Sequence, residues 1–388
     1  MKNLICTSFV FLATFSVKCY ATDLTVHSNI VLPKDSIESK ALIMALNGFL
    51  SAAEKPNEDN VYVLDTQQPE TFILLDEVKG IEVNKKLNED HFYKPYLTNI
   101  IPLKDHQFYI QVSYIGVKDD QPELRASFNF IAHKVKDVFV FSSPLLGNTQ
   151  HWKVEKTGNN IFHYQTSIDK SKTTAFSKIT AAFDSKLKVS NKTVDYYCCE
   201  NSIELQKLVG VAYKSDYNGR SKAVWSAGAG NRKLIVLGND NASFSEFDPH
   251  DLWHDRLGLS VDRSKVNKPV DEGCAYLYGG SWGLSWEEIF KAFKEQVAND
   301  KNINWMQVKE TPVYFKTKAF NNSADYIVNA LLVQKIEKEK GFSGVWELLN
   351  IGPFEKGNER YYATLEKLTG ITKSAYNEKV WELINSEK

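Results

Sequence analysis

The stretch Phe247-Asp248-Pro249-His250-Asp251-Leu252-Trp253-His254-Asp255-Arg256-Leu257-Gly258 constrains this chain more than any other. It carries helix punctuation at both ends: Asp248 suits an N-cap, Pro249 the first helical position and Gly258 the stop. A helix here puts His250 and His254 at i and i+4, one turn apart on one face. Two imidazoles so placed converge on one metal ion. Trp253 falls on another face and is expected in the core.

A histidine pair alone is a modest signal. The segment Pro269-Val270-Asp271-Glu272-Gly273-Cys274-Ala275-Tyr276 strengthens it by opening a second helix, with a carboxylate 272 − 254 = 18 positions after the second histidine. That interval lets the chain leave the first helix, turn through residues 258–268 and return alongside. Glu272 is then the expected third ligand, with Gly273 and Ala275 permitting close helix approach. Two histidines and a glutamate leave a fourth zinc position for water, as catalytic sites require and closed structural sites do not. Asp255 and Asp271 are candidates to orient the ligand histidines through their second ring nitrogens. Tyr276, Tyr278 and Tyr326 are candidate donors to a developing oxyanion, although buried aromatic packing is the better reading of any one of them.

His250-Asp251-Leu252-Trp253-His254 followed by Asp271-Glu272-Gly273 resembles the gluzincin zinc metallopeptidases, the thermolysin-like, peptidase-MA-like clan marked by HExxH and a downstream glutamate. An apolar strand-like run at 233–237 before the motif and a helical C-terminal part fit the same setting. The resemblance covers about residues 170–385. It implies a zincin-like domain, Zn2+ held by His250, His254 and Glu272, and hydrolysis of a peptide or protein substrate. In that family the strand before the motif edges the cleft and pairs with extended substrate. The family also has glutamate after the first histidine as general base, and this chain has Asp251. Aspartate is one methylene shorter, so its oxygens stop about 1.5 Å short on an unmoved backbone. Misplacement by about 1 Å costs on the order of 100-fold in rate. Asp251 is therefore a slower base, a base on a slightly moved helix, or the residue of a lapsed enzyme, with some retained activity as the expectation.

The remaining chain sets bounds. With 388 residues, a net charge of −1 and no long basic run, nothing points to nucleic acid. Residues 1–21 have the pattern of a cleaved export signal: Lys2, an apolar run over 4–17, and small Ala21 at the end. A periplasmic or extracellular location follows. No later run of about 18 apolar residues occurs, so no transmembrane segment is expected in the mature chain. Of five cysteines, Cys198, Cys199 and Cys274 remain after cleavage and are expected as small buried side chains.

The expected fold class is α+β. An N-terminal domain over 22–165 combines a helix at 36–53 with an antiparallel sheet from strands at 61–64, 71–75, 108–114, 124–133, 138–141 and 161–164. No chemical arrangement is evident in it, and His27, His91, His106, His133, His151 and His163 are taken as surface or structural. The zincin-like domain follows over 166–310, with helices at 173–187 and 202–208 and strands at 193–197 and 233–237. A helical subdomain over 311–388 completes the chain.

Overall fold

The structure, a computed structural model, describes residues 24–387 except 86, 87, 190, 191, 299, 301, 318 and 319. The export signal expected over 1–21 lies outside them, as do Cys6 and Cys19. Contacts divide the chain into two units. One comprises the chain to Gln150 with Ile203–Arg220 and Ala227–Ala229; the other comprises His151–Ser202, Ser221–Ser226 and Gly230–Lys388. Helices and separate sheets, one of them mainly antiparallel, make the fold α+β.

In the first unit β1 (Thr25–Val26), α1 (Ser36–Ser51) and α2 (Gln68–Glu82) precede the strands β2 (Lys94–Pro102), β3 (Gln107–Lys118), β4 (Gln121–Val135) and β5 (Val138–Ser142). Strand alternation gives one face its apolar side chains: Phe108, Ile110, Val112 and Tyr114 lie opposite Ala132, Phe130, Phe128 and Ala126, all buried. Asp35 caps α1 by accepting from the N–H groups of Ile37 and Glu38. The Phe49 ring of that helix sits 5.3 Å from Phe130 and 4.9 Å from Phe141.

Two strand expectations fail here. Residues 71–75 lie inside α2, where Thr71, Phe72, Ile73, Leu74 and Leu75 are all buried. A continuous apolar run has no period that separates a buried strand from a buried helix. Pro69 at the helix start and the length of the run to Glu82 favour the helix. Residues 61–64 contribute only an isolated bridge from Val63 to Phe141.

After α3 (Leu145–Asn148), β6 (Lys153–Thr157) and β7 (Asn160–Tyr164) open a second sheet, so the strand expected at 161–164 does not join the first. Then α4 (Lys170–Leu187) crosses to β8 (Thr193–Cys199), which runs parallel to β7 as a helical crossover allows. The chain next forms α5 (Ser202–Val209) and β9 (Val211–Lys214), and β9 pairs with β4. The reason is length: β5 covers only Ile131–Val135 of β4, leaving Ala126–Phe128 open for β9. The N-terminal unit thus ends near 150 rather than 165 and takes in this excursion.

The strands β10 (Ala223–Ala229) and β11 (Arg232–Gly238) complete the sheet in the order β10-β11-β8-β7-β6. The strand expected at 233–237 is therefore interior, with β10 beyond it, rather than an edge.

The rest of the second unit is mostly helical: α6 (Pro249–Leu257), α7 (Lys268–Gly279), α8 (Trp286–Val297) and α9 (Trp305–Glu310). A hairpin of β12 (Tyr314–Thr317) and β13 (Phe320–Ser323) interrupts the region expected to be helical throughout; aromatic Tyr314 and Phe315 favour a pleated surface. The last helices are α10 (Ala324–Lys340), α11 (Phe342–Leu349), α12 (Glu359–Thr369) and α13 (Tyr376–Ser386). Ile327, Leu331 and Ile336 share one buried cluster with Trp253 and Val270, so residues 311–388 belong to the same compact unit as the motif helices. Cys198, Cys199 and Cys274 are buried and form no disulfide with one another. Among the described residues no helix is long and apolar enough to cross a membrane.

Candidate metal centre

The motif helix starts as its sequence directs. Asp248 accepts the His250 N–H at 2.9 Å, and Pro249 occupies the first turn. Gly258 ends it with an ordinary helical φ of −60°. Leu252, Trp253 and Leu257 are buried. Arg256 is wholly buried too, and its guanidinium donates to both oxygens of Asp184 on α4 at 2.6 and 2.8 Å. This two-pronged bond fixes the rotation of α6.

Glu272 of α7 meets the two histidines. The Nε2 atoms of His250 and His254 are 3.3 Å apart. Glu272 Oε2 lies 3.4 Å from the first and 3.7 Å from the second. The sequence placed these three residues together, and the structure does so as well. Metal–ligand bonds of about 2.0–2.2 Å in a tetrahedron put ligand atoms roughly 3.3–3.6 Å apart, so this donor set fits a zinc-sized cation. His250, His254 and Glu272 keep exposures of 12%, 13% and 16%, so none of the three is sealed from solvent.

The second ring nitrogens are anchored. His250 Nδ1 lies 2.9 Å from the Gly280 carbonyl oxygen. A carbonyl only accepts, so Nδ1 carries the proton and Nε2 presents its lone pair. His254 Nδ1 lies 2.9 Å from Asp271 Oδ1, which also accepts from Trp253 Nε1 at 3.0 Å. Arg263 donates to Asp271 Oδ2 at 3.3 Å. Asp271 therefore holds the His254 ring, whereas Asp255 pairs with Lys233. Trp253 is core, as expected, and also an unforeseen donor.

The glycines divide their work differently from the expectation. A Cβ on Gly279 would come within 2.6 Å of the His250 nitrogen, so Gly279 sets the approach of α7 to α6. A Cβ on Gly273 would meet the backbone of Asn329 and Ala330 at 2.8 Å, so Gly273 serves α10 instead.

Charge is balanced inside the cluster. Burial pushes His254 down, but its hydrogen bonds to Asp271 and Glu272 outweigh burial and raise it to about 9. Burial raises Glu272, and the two imidazoles more than reverse that, lowering it to about 2. The metal-free cluster thus favours an imidazolium beside a carboxylate, and a cation binding there displaces the proton.

Asp251 is exposed on α6 and has no bonded partner among the described residues. The Tyr276 ring stands edge-on 5.1 Å from His250, and its hydroxyl donates to Asn322 at 3.0 Å. The Tyr278 hydroxyl donates to Glu337 at 2.7 Å. Tyr326 is half-buried on α10, and burial together with the Glu272 charge pushes it up to about 12. Its hydroxyl has no bonded partner among the described residues.

No protein family, curated protein or solved structure matches the chain.

Sequence reasoning missed Gly280 and Asn322, because a backbone carbonyl and a distant amide give no local signal. It also missed a grouping in the first unit. His91 Nδ1 lies 3.5 Å from Glu54 and 3.7 Å from buried Glu82, and Tyr114 donates to Glu82 at 2.7 Å. These residues are scattered in sequence, with no spacing to mark them.

Proposed function

We propose that the protein is an exported zinc-dependent metallopeptidase-like hydrolase of a peptide or protein, with His250, His254 and Glu272 as the ligands. The ligand triangle, with both imidazoles anchored at Nδ1, carries this reading. Zinc bound there supplies Lewis acidity toward a carbonyl and activates water. Asp251, next to His250 on the motif helix, takes the proton released as water attacks the scissile carbonyl and returns it to the leaving amine. Tyr326 stays protonated at neutral pH and donates to the developing oxyanion; the hydroxyls of Tyr276 and Tyr278 are committed elsewhere. Asp271 and Gly280 hold the imidazoles in register.

Incubation with a mixed peptide library, read by mass spectrometry, tests the proposal. Cleavage is expected from the parent and lost, together with zinc, in His250→Ala. Cleavage that survives in that variant sinks it. Unchanged zinc affinity in Glu272→Ala would remove Glu272 from the ligand set.

Asp251 in the place of a glutamate favours a second reading: a catalytically weak or inactive protein on a peptidase scaffold, serving in peptide binding or envelope assembly. Asp251→Glu separates the two. A large gain in turnover marks a weakened active site, whereas an inert variant that still binds peptide marks a binding protein.

A further inference from the structure

A cavity of about 720 Å³ opens in the second unit between the end of α4, the segment after α6 and the start of α11. Leu187, Leu259, Phe342 and Trp346 supply apolar walls, and Lys186 and Lys188 stand among the lining groups. No aspartate or glutamate lines it among the described residues. The volume falls within the roughly 300–1,000 Å³ of cavities that enclose small organic ligands.

Charge selects the kind of ligand. Lys186 is already paired with Glu337, and its ammonium lies 4.4 Å from the centre of the Tyr278 ring. Lys188 is exposed, with no ion-pair partner among the described residues. It occupies the left-handed C-cap of α4 at φ +54°, where glycine or asparagine is the relaxed choice. Two of the four carbonyls that make this helix C-terminus negative are engaged. Asp184 O accepts from the N–H groups of Lys188 and Val189, and Leu187 O accepts from the Ser260 hydroxyl at 3.0 Å. The first turn of α11, whose Phe342 and Ser343 line the same cavity, has no side-chain cap, so its positive end adds to the field of Lys188.

We propose that this cavity binds an anionic amphiphile, specifically a medium-chain carboxylate. The head group lies at Lys188 and the first turn of α11, and the chain lies against Leu187, Leu259, Phe342 and Trp346. The site is separate from the metal centre and stands without it.

Calorimetric titration of the purified protein with decanoate, below its micellar concentration, is the test. Saturable binding of one equivalent is expected, with none for decyltrimethylammonium, which has the same tail and the opposite charge. Affinity should fall about tenfold in Lys188→Glu, where attraction becomes repulsion. It should also fall in Ser343→Trp, which fills the cavity from an exposed lining position. Both substitutions are at exposed residues, and circular dichroism checks that each variant is folded. Absence of saturable decanoate binding, equal binding of the cationic analogue, or unchanged affinity in either variant overturns the proposal.

Discussion

Replacing Asp271 by asparagine probes the anchoring of the metal centre most sharply. Asp271 is 2% exposed, and its Oδ1 accepts from both His254 Nδ1 and Trp253 Nε1 at 2.9 and 3.0 Å. Asparagine keeps one acceptor oxygen but turns an NH2 group toward Arg263, so two donors meet where a carboxylate stood. The negative charge that would make His254 a stronger ligand to a bound metal is lost. Removing such a partner costs about 10–100-fold in metal affinity, or about 1.4–2.8 kcal/mol. The metal-free His254, raised to about 9 by Asp271 and Glu272 together against burial, should titrate lower with only Glu272 left. Competition against a chromogenic chelator measures the first effect, and histidine proton resonances followed through a pH titration measure the second. A folded Asp271→Asn protein with parental zinc affinity and an unmoved His254 would refute the reasoning and leave Asp271 as a packing group for Trp253.

Other outcomes follow from the same contacts. Gly280→Ala places a Cβ against the Leu284 carbonyl at φ +73° and disturbs the carbonyl that holds His250; a loss of about 1–3 kcal/mol in urea unfolding and weaker zinc binding are expected. Arg256→Met leaves Asp184 without its two-pronged partner and should cost about 3–5 kcal/mol by the same assay, part of which Asp184→Leu restores in the double variant. In the metal-free protein, His254 is raised from 6.5 to about 9, so its stabilising contribution is complete below pH 6.5 and is lost as pH rises through about 9. Glu272 is lowered from 4.5 to about 2, so its contribution is present above pH 4.5 and is lost as pH falls through about 2. Because zinc must displace the His254 proton, zinc affinity should climb with pH up to about 9, which chelator competition at stepped pH reads directly.

The site was legible in the sequence where its signals are local. Asp248, Pro249 and the i, i+4 histidines act within one short helix, and Glu272 sits near the start of the next, so caps and spacing sufficed. The anchoring shell was only half legible. Asp271 adjoins a ligand and could be guessed, but Asp255 was an equal guess until Lys233 on β11 claimed it. Gly280 O and Asn322 are brought in by the tertiary path of the chain. The fold follows the same division. The alternation in Phe108, Ile110, Val112 and Tyr114 marks a strand with one buried face. The fully buried Thr71–Leu75 run carries no such period, so its helix reads as a strand. The pairing of β9 with β4 depends on an edge left open by a short neighbour, which no local pattern encodes.

His250, His254 and Glu272 are proposed to hold a zinc-sized cation. Elemental mass spectrometry on the parent protein and on His254→Ala, both purified without chelator, is the direct test. Close to one zinc per chain is expected in the parent, with loss of zinc in the variant. No metal in either protein after zinc is offered, or equal metal in both, would contradict it.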